Sequence, residues 1–197
     1  MNTNRIMNNF FFSKFIAILL ICLSMSCHYN TTNTTKTTKM KSRFNFYTQY
    51  NQFYISSDNA KSLVSDNSWK DEMLTDRLGL LNNTLVVNTE SYGDIKGELI
   101  VLENGNNDIN YDIYDHIVEG GIEIKSGILN ILDCPNTTSQ LEINLKPGKY
   151  RIRIYSSNLN SVKENDLAND SDQDFYKIEV WPDDNMELKI LKRFVRK

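Results

Sequence analysis

Carboxylates crowd one stretch of this 197-residue chain. Glu164, Asp166, Asp170, Asp172 and Asp174 fall within residues 164–174, and only Lys163 offsets them. Such a cluster has three uses: holding a metal, doing acid–base work, or presenting negative charge to a basic partner. Asp170, Asp172 and Asp174 have the alternate spacing of a calcium loop. An EF-hand also needs Gly at its sixth position and a carboxylate at its twelfth, and Phe175 and Trp181 stand there. The EF-hand reading fails; a looser Ca²⁺ site between loops, helped by Asp133 or Asp183, stays open as an alternative. The third use is a phosphate mimic. Closely spaced carboxylates on a rigid hairpin can replace the phosphates of a nucleic-acid backbone in the cationic groove of a nuclease, with fast, salt-sensitive association. On this reading Asp166, Asp170, Asp172 and Asp174 supply the charge, and Tyr155 and Trp181 the aromatic anchors. The same two aromatics could instead pack under the loop or against a second sheet.

Other reactive groups are sparse. There is no Gly-rich phosphate loop, no His/Cys metal spacing and no nucleophile-elbow serine. Once a signal segment is removed and Cys27 is committed to lipid, Cys134 is the remaining thiol, and His28 and His116 are poorly suited to activate it. A lone thiol closes no intramolecular disulfide, so Cys134 reads as a packed core residue. No catalytic residue, metal or cofactor is assigned, and enzymatic activity is not expected.

Two alternating strands must position the acidic loop. Tyr150, Ile152 and Ile154 share one parity opposite Arg151, Arg153 and Tyr155; after the loop, Tyr176, Ile178 and Val180 repeat the apolar parity opposite Lys177, Glu179 and Trp181. A period of two marks half-buried strands. Similar runs cover 85–89, 95–103, 111–119, 122–125, 128–132, 141–145 and 186–191. The sequence FNFYTQYNQFYIS changes phase near Asn51-Gln52, which predicts a bulge or corner. Ser126-Gly127 predicts a two-residue hairpin, and Lys146-Pro147-Gly148-Lys149 a type II turn. One short helix is expected over KDEMLTDRLGLL, residues 70–81, with Ser68 as N-cap, Asp71 and Glu72 in its first turn, Met73, Leu74, Leu78 and Leu81 at helical spacing, and Gly79 ending or fraying it. Many strands, one helix and no βαβ spacing predict a mainly β protein, an antiparallel, jelly-roll-like β-sandwich.

The remaining segments read as export and tethering. Arg5 and Lys14 precede an apolar run, Phe15 to Leu23, that is short for a membrane span. Ser24 and Ser26 then lead into Cys27, which resembles a bacterial lipoprotein cleavage box with its leucine one place early. Residues 1–26 are expected to be a signal peptide, with Cys27 lipidated and the protein anchored at the cell envelope, facing periplasm or surface. Simple secretion or an uncleaved anchor are the alternatives. Residues 27–43 read as a polar tether, 44–191 as the sandwich and 192–197 as a basic tail. Between Phe44 and Leu188 stand 11 basic residues against 25 acidic ones, a net charge of −14. Such a body disfavours direct nucleic-acid binding and favours a basic protein partner.

The order of several short motifs resembles a known family. Tyr50-Asn51-Gln52-Phe53, the segment from Trp69 to Glu72, Ile122 to Leu132, Leu145 to Tyr150 and Asp174 to Pro182 are similar to the competence protein J family, small β-rich inhibitors of a DNA-entry nuclease. The similarity covers about Phe46 to Pro182. It implies inhibition of a nuclease, or a nuclease-like toxin, by protein–protein contact, and it carries over no contact residues. The lipoprotein-like leader departs from the family, and its export would direct the inhibitor to a nuclease outside the cytoplasm, as an immunity protein. A surface module binding a small ligand, glycan or Ca²⁺ through the sandwich-end loops is the alternative.

Overall fold

A computed structural model describes residues 38–57, 70–81 and 83–196; these belong to the compact unit Lys36–Lys197. The expected signal peptide, Cys27, most of the tether and the Ser68 cap lie outside the described residues. Eleven strands follow one another among those described: β1 (Thr38–Thr48), β2 (Gln52–Ser56), β3 (Leu78–Leu81), β4 (Thr84–Asn88), β5 (Gly93–Leu102), β6 (His116–Ile124), β7 (Ile128–Leu132), β8 (Ser139–Asn144), β9 (Gly148–Ser157), β10 (Phe175–Pro182) and β11 (Lys189–Lys192). One helix, α1 (Asp71–Thr75), stands between β2 and β3. The strands form a six-stranded sheet in the order β1-β5-β10-β9-β6-β11 and a five-stranded sheet in the order β3-β4-β2-β7-β8. The mainly β, two-sheet sandwich expected from the alternation is what the chain forms.

The inward parity of each strand fills the space between the sheets. Phe44, Phe46, Ile95, Leu99, Ile152, Ile154, Tyr176, Ile178 and Val180 come from the larger sheet, and Phe53, Ile55, Leu85, Leu129 and Ile131 from the smaller. Phe44, Phe46, Phe53 and Tyr176 interlock with ring centroids 5.8–6.2 Å apart, the tilted and edge-on geometry that aromatic quadrupoles favour. At about 1.5–3 kcal/mol for each large apolar side chain buried, this layer is what holds the domain. A satellite cluster of Tyr54, Met73, Leu81, Val86, Leu132 and Cys134 seats α1 through its buried Met73. Cys134 is a buried free thiol, and its sulfur accepts from Gln52 Nε2 and Tyr54 Oη, both at 3.1 Å.

Several local expectations are corrected. The helix stops at Thr75, and Leu78–Leu81, expected to complete it, is a strand paired antiparallel with β4. Arg77 makes the break: its φ of 55° is left-handed, so helical backbone cannot run through it. The phase change at Asn51-Gln52 is a corner that carries the chain from one sheet to the other, with Tyr50 and Asn51 both left-handed at φ 57° and 53°. Ser126-Gly127 does not close a hairpin, because β6 pairs with β9 and β11 whereas β7 pairs with β2 and β8. The clean alternation on both sides of that turn is equally suited to strands facing each other across the core. Residues 116–124 form one strand, and 111–113 a 3₁₀ turn rather than its beginning. The β5–β10 pair is parallel, so the larger sheet is mixed.

Both ends of the described domain are also more ordered than expected. Residues 38–43, assigned to the tether, pair with β5 from Thr38↔Leu102 to Arg43↔Glu98, because an open sheet edge offers backbone partners that a polar strand can use. The basic tail is docked: Lys192 Nζ donates to the carbonyls of Tyr111 and Tyr114, Arg193 pairs with Asp76 at 2.8 Å, and Arg196 pairs with Glu90. The described residues therefore carry 17 basic against 23 acidic side chains, and the domain is much less acidic than its middle segment alone.

Candidate functional site

The acidic stretch is the β9–β10 connection, 158–174, at one end of the sandwich. Antiparallel β9 and β10, in register from Tyr150↔Pro182 to Ser157↔Phe175, fix where it leaves and re-enters. Self-repulsion alone would hold such a loop open, yet it is pinned across the sandwich end. Leu159 and Val162 are buried, and Leu159 N–H donates to Asp115 Oδ2 at 2.8 Å. Asn165 is the main tie. Its carbonyl accepts from Asn51 Nδ2 at 2.6 Å, its amide donates to Glu90 Oε1 at 3.3 Å, and its Oδ1 accepts from Arg196 at 3.0 Å. Buried Glu90 also pairs with Arg77 at 2.7 Å. At the return, Gln173 N–H donates to Ser161 Oγ at 2.9 Å.

The acidic residues divide between surface and interior. Glu164, Asp166 and Asp170 are exposed. Asp172 and Asp174, expected beside them on the surface, are buried at 8% and 3% exposure. Asp174 is a structural acceptor: its Oδ2 takes the main-chain N–H and hydroxyl of Ser91 (3.0 and 2.9 Å) and the hydroxyl of Tyr176 (2.6 Å). Burial, reinforced by this carboxylate, raises the Tyr176 phenol far above its ordinary pKa. Asp172 lies against a cavity of about 350 Å³ lined also by Tyr47, Asp94, Lys96, Ala168, Asn169 and Asp170. Burial and then the neighbouring Asp174 raise its pKa, because both disfavour the charged form.

Tyr155 and Trp181 lie neither under the acidic loop nor against the second sheet. Both are buried, at 2% and 5% exposure, on the outer face of the larger sheet. That face carries a row of alternating charge, Glu119–Arg153–Glu179, across β6, β9 and β10. Glu119 accepts from Arg151 Nη2 at 2.9 Å and from Arg153 Nε at 2.5 Å. Tyr155 Oη donates to Glu179 at 2.7 Å while accepting from Arg153 at 3.0 Å. The Arg153 guanidinium stacks 5.0 Å from the Trp181 ring, and Trp181 Nε1 donates to Asp183 at 3.2 Å. The period of two located these residues correctly on the outward parity. It could not reveal that residues 105–106 and 183–187 fold back over that parity and exclude water from it.

The aromatic surface beside the loop comes from elsewhere in the chain. Tyr47 and Tyr50 at the β1–β2 corner are 50% and 64% exposed, and Leu167 on the loop is 58% exposed. Tyr47 meets Tyr92 edge-on at 6.4 Å. Gly93 makes the join possible: its φ is +115°, and a Cβ there would stand 2.9 Å from the Ala168 Cβ. The change of phase at Asn51-Gln52 was the sequence signal for this corner, though not for its neighbour. His116, considered as a base, is fully buried. Among the described residues no group of three or more His, Cys, Asp or Glu could hold a metal ion.

Comparison with known proteins adds a likeness of fold. No family model matches the chain, and no curated protein does. Among solved structures, ComJ of Bacillus subtilis, described as an inhibitor of the DNA degrading activity of NucA, superposes with a TM-score of 0.53 at 15% identity, covering 75% of this chain and 98% of that one. The crocagin biosynthetic gene J protein matches with a TM-score of 0.46 at 13% identity, covering 73% and 98%. The chain has a ComJ-like fold.

Proposed function

We propose that this protein binds and inhibits a basic nuclease or nuclease-like toxin through the sandwich end that carries the acidic loop. The observation behind the reading is the pinned loop itself. Glu164, Asp166 and Asp170 stand exposed on backbone fixed by Asn51, Glu90 and Arg196, beside exposed Tyr47 and Tyr50. Preorganised charge of one sign speeds encounter with a surface of the other, and rigid aromatic area then holds it. The ComJ-like fold supports the same reading, since ComJ is described as an inhibitor of a nuclease.

The test is DNA degradation by a nuclease or nuclease-like toxin that co-purifies with this protein from its host, with and without added inhibitor. The triple variant Glu164→Gln/Asp166→Asn/Asp170→Asn should associate about ten-fold more slowly in dilute salt and only a few-fold more slowly near 0.5 M, because long-range attraction is screened. Undiminished DNA degradation at saturating wild-type protein overturns the function. A salt-independent loss in the variant overturns the role of the loop charges. Export and lipid anchoring at Cys27, which would place this activity at the cell envelope, belong to the same proposal and rest on residues 5–27 alone. Cys27→Ser should move the protein from the membrane to the soluble fraction, and retention on the membrane would refute the anchor.

A further inference from the structure

Asp172 stands apart from every other acidic side chain at the sandwich end. It is 8% exposed, yet neither carboxylate oxygen has a hydrogen-bond partner. Asp174, two residues on, shows how this fold satisfies a buried carboxylate, with three donors on one oxygen. A buried carboxylate without a donor is among the costliest arrangements a protein can carry. Its pKa is raised by that burial and by Asp174. Both oxygens are closed off from solvent in this conformation, so a turn of the Asp172 side chain must bring them to the cavity that the residue lines, and that lining says what would relieve the cost. Asp94 and Asp170 add negative charge, and Tyr47 adds an aromatic wall held edge-on by Tyr92. The Asn169 side-chain carbonyl is already occupied by Ser171, which leaves the carboxylates as the acceptors. Carboxylates beside an aromatic face make a receptor for an organic cation. Among the described residues no group of three or more His, Cys, Asp or Glu could hold a metal ion, and the 350 Å³ cavity has room for an extended side chain.

We propose that the Asp172 cavity receives an arginine or lysine side chain of the basic partner, with Asp172 as its counter-ion and Tyr47 as its aromatic wall. The identity of that partner rests on the function proposed above; the pocket and its cation do not. Lys96 is the one cationic side chain on the lining and opposes the incoming charge. Asp172 then carries two opposite costs: it weakens the free protein and strengthens the complex.

The probes are three capped tripeptides, acetyl-Gly-Arg-Gly-amide and its lysine and citrulline counterparts, titrated into the isotope-labelled full chain in detergent and followed by heteronuclear NMR. The arginine and lysine peptides should shift the amides of Asp94, Asn169, Ser171 and Asp172, whereas the neutral isostere citrulline should bind about ten-fold more weakly or not at all. Asp172→Asn should lose the arginine response while melting at the same or a higher temperature, and Lys96→Met should tighten it. Equal binding of citrulline, an unchanged response in Asp172→Asn, or a lower melting temperature in that variant would each overturn the pocket. Saturable shifts with CaCl₂ that the arginine peptide cannot displace would overturn it too, in favour of a metal site. The two proposals fail separately. Peptide binding without nuclease inhibition supports the pocket and removes the function, and inhibition undiminished by Asp172→Asn removes the pocket and leaves the function.

Discussion

His116 gives the domain a built-in sensitivity to acid that follows from its surroundings. Its ring is fully buried at the start of β6. Phe194 N–H donates to Nδ1 at 3.2 Å, so the proton sits on Nε2, which donates to the Asp76 carbonyl at 3.0 Å. Burial, then the nearby Arg77 and Arg193, lower its pKa from 6.5 to about 4, against the opposing pull of Asp76. The unfolded chain therefore takes up a proton that the folded domain refuses between those values. The contribution is complete above pH 6.5 and is lost as pH falls toward 4. The fall from 6.5 to about 4 corresponds to about 3 kcal/mol in full and to about 2.5 kcal/mol by pH 4.5. Urea unfolding of wild type and His116→Asn at pH 7.5 and 4.5 isolates the histidine. The variant loses stability at neutral pH, but its further loss on acidification should be about 2.5 kcal/mol smaller than that of the wild type. An NMR titration supplies the direct reading, with His28 as the second histidine in the same spectrum. A His116 resonance titrating near 6.5, or identical acid losses in the two proteins, would refute the reasoning.

The charge row on the larger sheet should be the most sensitive polar feature. Glu119→Ala removes the carboxylate shared by Arg151 and Arg153, both under 6% exposed, leaving Arg151 with main-chain carbonyls alone and Arg153 with Glu179 as its remaining carboxylate, and should cost about 3–5 kcal/mol in chemical denaturation; a loss under 1 kcal/mol would show that water reaches this face. Gly93→Ala combines an unfavourable φ with a 2.9 Å approach to Ala168. It should destabilise the domain by about 1–3 kcal/mol and displace the loop, seen as faster amide exchange across residues 165–172. Wild-type exchange there would place the strain elsewhere. Cys134, buried between Tyr54 and Gln52, should resist alkylation in the folded chain and react fully in urea, and rapid labelling of the native protein would contradict its placement.

Alternation in the sequence made the strands, the two-layer arrangement and the inward residues legible, because a period of two depends only on which face of a strand is buried. Partnership between strands was not legible. IEIKSGILNIL alternates as a hairpin does, and only the competing partners of β6 and β7 send its halves to different sheets. Burial of the outer face was hidden for a related reason. Arg151, Arg153 and Lys177 look solvated until Glu119, Glu179 and Tyr155 arrive from neighbouring strands. The carboxylates of 164–174 were visible as a group, but which would be exposed depended on Ser91 and Tyr176, more than 80 positions away or across a strand end. Arg77 hid the end of the helix, since nothing in its residue type announces a left-handed backbone.

The central position of β10 has a consequence for how the molecule is made. Its neighbours are β5, paired in parallel some 80 residues earlier, and β9, so the six-stranded sheet cannot join its two halves until Pro182 has been synthesised. Before then β5 and β9 each present an unpaired edge, and Ile95, Leu99, Ile152 and Ile154 lack their covering neighbours. Pairings of such long sequence separation form late and slowly. A chain arrested short of β10 should therefore be prone to association, while one emerging complete, on whichever side of a membrane, closes the sheet, draws the loop across the sandwich end and brings Asp172 to its cavity in one concerted event.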